Sequence, residues 1–267
     1  MLFRSGLLSA RLDVQGEQGP DSEERLQLLR RCLFIAGERT ERPDDLQRFA
    51  EQILALQPGD EEAENALLKL YMRGERWPEL IALQYKRQAR VADPALRAEL
   101  LLRIARMQED RLGDRAAAAA VLREACDVDP RNLRLLRELA RLLDAQEDTR
   151  GLVEVLRRES SLCADEEKAS VFLRMGRLFE TALQDPGSAT ESYLQALEAD
   201  PISAEAVEGL ERLFAAGSVS KEDIPRVAAR LLPYYELTER FSKWAEMLEA
   251  LVAVTENPND RRPSSIP

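Results

Sequence analysis

The 267-residue chain contains no histidine. Ser–His–Asp triads, Cys–His dyads, HExxH zinc sites and imidazole proton relays are therefore excluded together. Cysteine is nearly as scarce. Cys32, Cys126 and Cys163 stand far apart, form no CxxC pair and, being odd in number, cannot complete a disulfide framework. They read as small buried hydrophobes in a reducing compartment, which makes a cytoplasmic location the expectation. Aromatic residues are only 5% of the chain, and 38 Lys and Arg face 49 Asp and Glu for a net charge of −11. An acidic chain without aromatics interleaved among its basic residues is a poor nucleic-acid binder. No apolar run approaches the roughly 18 residues of a membrane span, and residues 1–10 are too weakly apolar for a signal peptide. There is no GxGxxG, no phosphate loop and no nucleophile beside a plausible base. The composition points away from an enzyme, a cofactor or a metal site.

What the chain has is self-similarity. Residues 101–130 align without a gap on residues 172–201, at an offset of 71. Leu102/Leu173, Arg103/Arg174, Arg106/Arg177, Glu109/Glu180, Asp114/Asp185, Ala118/Ala189, Ala125/Ala196 and Pro130/Pro201 are identical pairs. A more diverged copy ends at Pro58, and after each of the three prolines leucines recur nine and twelve positions on. Apolar spacing of three to four within each copy predicts amphipathic helices, broken at Gly113-Asp114, Asp129-Pro130 and Asp185-Pro186-Gly187. The spacing predicts helices near 22–37, 44–56, 60–73, 77–91, 95–111, 114–127, 131–145, 149–162, 165–183, 186–199, 202–216, 222–237 and 240–255. No segment sustains a period of two, so the expected fold class is all-α, a solenoid of hairpins about 35 residues long.

The chain resembles the tetratricopeptide repeat (TPR) family. The motif is carried best by Phe172, Met175, Gly176 and Phe179 on one helix, then Ala189, Tyr193, Ala196 and Pro201. Leu136, Leu139, Ala140 and Leu143 repeat it, as do Leu67, Leu68 and Tyr71 followed by Trp77, Leu80 and Leu83. The resemblance implies a right-handed superhelix of about six hairpins over residues 21–256, like a segment of large bacterial TPR proteins. Residues 1–20 read as a leader or linker and 257–267 as a disordered tail. A helical insertion is expected at 217–240, before Trp244-x-x-Met247-Leu248, which echoes Trp77-x-x-Leu80-Ile81. Trp77 and Trp244 are expected to pack between hairpins, whereas Tyr234-Tyr235 is a candidate exposed contact.

In TPR folds the first helix of each hairpin lines a concave groove. Carried onto this chain, its ninth position is Lys69, Arg106, Arg141, Arg177 and Arg212, with Arg134 and Arg137 on the same face as Arg141. Such a ladder of cations suits an acidic peptide or a terminal carboxylate, gripped by guanidinium forks. The implied function is a non-enzymatic protein-interaction scaffold. The alternative is a spacer in a larger assembly, with the cations neutralised one turn on by Glu109, Asp144 and Glu180.

Overall fold

The structure is a computed structural model, and it describes residues 22–39 and 43–255. The expected leader and tail lie outside the described residues. Among those residues the chain is all-α, with no strand, in thirteen helices. They are α1 (Ser22–Arg39), α2 (Pro43–Leu56), α3 (Glu61–Arg73), α4 (Trp77–Gln88), α5 (Pro94–Leu112), α6 (Arg115–Val128), α7 (Leu133–Ala145), α8 (Thr149–Ser160), α9 (Asp165–Thr181), α10 (Pro186–Ala199), α11 (Ala204–Ala215), α12 (Ile224–Leu237) and α13 (Phe241–Thr255).

Two local devices cut the chain at these points. Aspartate accepts from the first-turn backbone at five helix starts: Asp60 from Ala63, Asp93 from Ala95, Asp114 from Ala117, Asp148 from Gly151 and Asp185 from Ser188. Each carboxylate satisfies an N–H that the helix cannot. The second device is a left-handed residue just past a helix end. Glu75, Gly113, Glu147, Gln184, Gly217 and Glu239 all have φ between 51° and 67°. The next residue's N–H then reaches back to a carbonyl in the last turns, as Asp148 does to Leu143 and Asp185 to Phe179. Glycine tolerates that backbone freely, so the glutamates and Gln184 hold it at a strain cost.

The chain divides into two compact units, residues 1–130 and 131–267. In the first, each helix from α1 to α6 packs against the next, and α1 also meets α3. Leu29, Leu33, Phe49, Ile53, Ala63, Leu67, Tyr71 and Leu80 form one core cluster, with Trp77 packed at its edge beneath the Arg111 guanidinium. The alanine run contributes Ala118 and Ala119, fully buried on α6, the helix that packs against α5.

In the second unit α7 packs on α8, α8 on α9, α9 on α10 and α10 on α11; α9 also meets α11. α12 packs on α10 and α13. The centre of this unit is Tyr193 of α10, 1% exposed. Its ring lies against Gly176 of α9 and Gly209 of α11. A methyl group on either would sit 2.6 Å and 2.5 Å from ring carbons. Two glycines on neighbouring first helices therefore make the slot that one aromatic ring fills.

Candidate functional site

All seven predicted site residues are exposed: Lys69, Arg106, Arg134, Arg137, Arg141, Arg177 and Arg212. They fall on alternate helices, as the repeat requires. Lys69 is on α3 and Arg106 on α5, in the first unit; Arg134, Arg137 and Arg141 are on α7, Arg177 on α9 and Arg212 on α11, in the second. In the second unit Arg137, Arg177 and Arg212 are held by ion pairs between helices.

Arg137 donates Nε to Glu159 at the end of α8 (2.8 Å) and Nη2 to Glu167 at the start of α9 (2.7 Å). Arg174 of α9 reaches back to Asp144 of α7, 3.1 Å. Arg177 reaches forward to Glu205 of α11, 2.5 Å. Arg212 of α11 grips Glu180 of α9 with two parallel hydrogen bonds, 2.9 and 3.0 Å. Arg141 is bonded to Glu138 one turn earlier on its own helix, 3.2 Å. The i, i+3 pair expected for Arg177–Glu180 is thus replaced by pairing across the helix-to-helix seam, whereas Arg141 stays paired within its own helix, to Glu138, and Asp144 goes to Arg174. The reason is geometric: a long guanidinium spans the gap between adjacent helices, and at Glu180 it meets a sheltered carboxylate that accepts a two-pronged grip.

The acids of this face differ in depth. Glu180 and Glu159 are sheltered, with side chains 18% and 8% exposed. Asp144, Glu167 and Glu205 stand in solvent, at 59%, 47% and 60%. Glu180 also accepts the phenol proton of buried Tyr193 at 2.6 Å. The Arg212 guanidinium, with help from that phenol, holds the Glu180 carboxyl below its usual range, and the same bond raises Arg212. Burial first, and Glu180 second, push the Tyr193 phenol up. Arg137 is raised by its two carboxylates, Glu159 before Glu167.

The Tyr193–Glu180–Arg212 chain was missed at the sequence level, although its parts were visible. Gly209 on α11 was the available signal, since it faces the same ring as the motif glycine Gly176. The α9–α10 hairpin is TPR-like: Gly176, the small residue of the first helix, admits Tyr193, the large residue of the second, and both are motif positions.

The other surfaces that sequence reading singled out are mostly structural. Cys32, Cys126 and Cys163 are buried thiols, none of them in a disulfide. Tyr235 is buried, while Tyr234 partly lines a small apolar pocket with Ile202, Pro233 and Leu237. Trp244 is 37% exposed, less covered than inter-hairpin packing predicts, because only Met247 of α13 is buried. In the first unit a cleft of about 680 Å³ opens between α2 and α4 over Leu67 and Tyr71. At Tyr71, Arg76 caps the ring and bonds to Glu79 and Gln47. Among the described residues no group of His, Cys, Asp and Glu could hold a metal, and no helix is long and apolar enough to cross a membrane.

No protein-family pattern matches the chain, and no curated protein matches it. Solved structures similar to it include many TPR proteins. YrrB, described as a TPR protein with an unusual peptide-binding site, is 12% identical with a TM-score of 0.35, covering 72% of this chain and 98% of its own. MamA is 14% identical with a TM-score of 0.36, covering 76% and 96%. PilW, a type IV pilus biogenesis factor, is 18% identical with a TM-score of 0.36, covering 78% and 97%.

Proposed function

We propose that the protein is a non-enzymatic interaction scaffold that takes an acidic segment of a partner protein on the face of α7, α9 and α11. One observation carries this reading. Arg137, Arg141, Arg174, Arg177 and Arg212 gather on three successive first helices, each side chain about half exposed and each paired with a carboxylate of the chain. Pre-positioned guanidinium forks lower the ordering cost of gripping a carboxylate. In the first unit Lys69 and Arg106 extend the same repeat position. The acidic net charge of the whole molecule gives this face selectivity, because acidic ligands are repelled elsewhere.

A second reading, a spacer within a larger assembly, is favoured by the same ion pairs taken as pure adhesion. The two part on a binding measurement. A fluorescein-labelled octaglutamate peptide is titrated with the protein and with the R141Q/R174Q/R177Q variant, at low and moderate salt. Saturable binding that the variant loses, with unchanged helicity, supports the scaffold. An absence of binding, or equal binding by both proteins, supports the spacer.

A further inference from the structure

The difference in depth between the two kinds of acid has a functional meaning. Glu159 and Glu180 are sheltered: each lies under its guanidinium, and Glu180 is fixed again by Tyr193. Such an acid is expensive to strand, because its partner's removal leaves a poorly solvated charge. Asp144, Glu167 and Glu205 are the opposite. Each stands largely in solvent, and each bridges two neighbouring first helices, Asp144 and Glu167 across α7–α9 and Glu205 across α9–α11. Exposed pairs of this kind are worth only about 0–1 kcal/mol, and salt screens them.

We infer that Asp144, Glu167 and Glu205 are internal stand-ins for the ligand, occupying Arg174, Arg137 and Arg177 until carboxylates of an acidic partner segment displace them. This rests on the scaffold reading above and names its ligand chemistry and its competitor. The sheltered acids hold two of the arginines throughout: Arg137 retains Glu159 when Glu167 leaves, and Arg212 with Glu180 is not exchanged, while Arg174 and Arg177 pass from their stand-ins to the ligand. The face therefore offers three exchangeable forks, on Arg137, Arg174 and Arg177, framed by a permanent clasp. The free surface is close to neutral, so non-specific anions gain little from it. A ligand that replaces all three stand-ins together is the one that gains.

The test compares octaglutamate binding to the protein, to D144N/E167Q/E205Q, and to E154Q/E236Q/E239Q. The last variant removes three exposed acids from α8, α12 and the following turn, giving the same change in net charge away from this face. The expected result is about fivefold tighter binding by D144N/E167Q/E205Q, from three weak pairs no longer competing. Its salt dependence should be steeper, and E154Q/E236Q/E239Q should stay within about twofold of the unaltered protein. Equal tightening by both triple variants would make the effect one of net charge and overturn the stand-in role. Unchanged or weaker binding by D144N/E167Q/E205Q, with the unaltered protein still binding, would overturn it and leave the scaffold standing. If neither the protein nor any variant binds, the scaffold reading falls as well.

Discussion

Arg212 grips Glu180 with two hydrogen bonds across a separation of 32 residues, and Glu180 in turn accepts the phenol of Tyr193. Arginine 212 thus touches the core of its own unit through one carboxylate. That clasp joins α11 to α9, and Tyr193 joins both to α10. Replacing Glu180 with Gln removes the charge from the fork but leaves an acceptor for Tyr193. The expected loss is about 1–2 kcal/mol in urea unfolding. A cycle with Arg212→Gln should show most of that loss as coupling between the two side chains.

The same carboxylate gives the stability a pH dependence. Glu180 and Asp60 are both held below their ordinary values, 4.5 and 3.8. A lowered carboxyl stabilises the fold fully above its unfolded value and loses that contribution as pH falls through its folded value. Stability should therefore decline from about pH 4.5 downward, and Glu180→Gln should flatten part of that decline. Equilibrium unfolding between pH 3 and 6 checks it; a Glu180→Gln curve parallel to that of the unaltered protein would contradict the clasp.

The Tyr193 slot leaves no room. Gly176→Ala or Gly209→Ala places a methyl inside van der Waals distance of the ring, with an expected cost of about 1–3 kcal/mol each. Tyr193→Leu should be destabilising alone, yet Gly176→Ala should cost much less in its background. Thermal melts of the single and double variants measure this directly.

The left-handed turns predict the opposite sign. Glu147→Gly and Gln184→Gly relieve strained backbone at φ 58° and 52°, and each should stabilise by about 0.5–1 kcal/mol. Gly113→Ala should destabilise by a similar amount, since its φ is 67° and its site is otherwise empty.

The helices were legible in the sequence because periodicity and punctuation agreed. Asp185-Pro186 marks a start that the structure matches to the residue, and the start expected at 114 falls one residue on, at Arg115, with Asp114 as its cap. The end of α4 lies at Gln88, three residues before the expected 91. The candidate site was half legible. One repeat position on five helices named Lys69, Arg106, Arg141, Arg177 and Arg212, and all five are exposed. Their partners were not legible. Pairing at i, i+3 and i, i+4 is visible along one helix, whereas Arg174–Asp144, Arg177–Glu205 and Arg212–Glu180 depend on how far apart neighbouring helices sit.

The most direct measurement of the scaffold claim is a map of where the acidic segment lands. An octaglutamate peptide carrying a benzophenone is bound, photolysed and located by peptide mass spectrometry, with octaserine as the control. The account predicts cross-links concentrated on α7, α9 and α11 and lost in R141Q/R174Q/R177Q. Cross-links on α8, α10 or α12 instead, or none above the octaserine level, would contradict it.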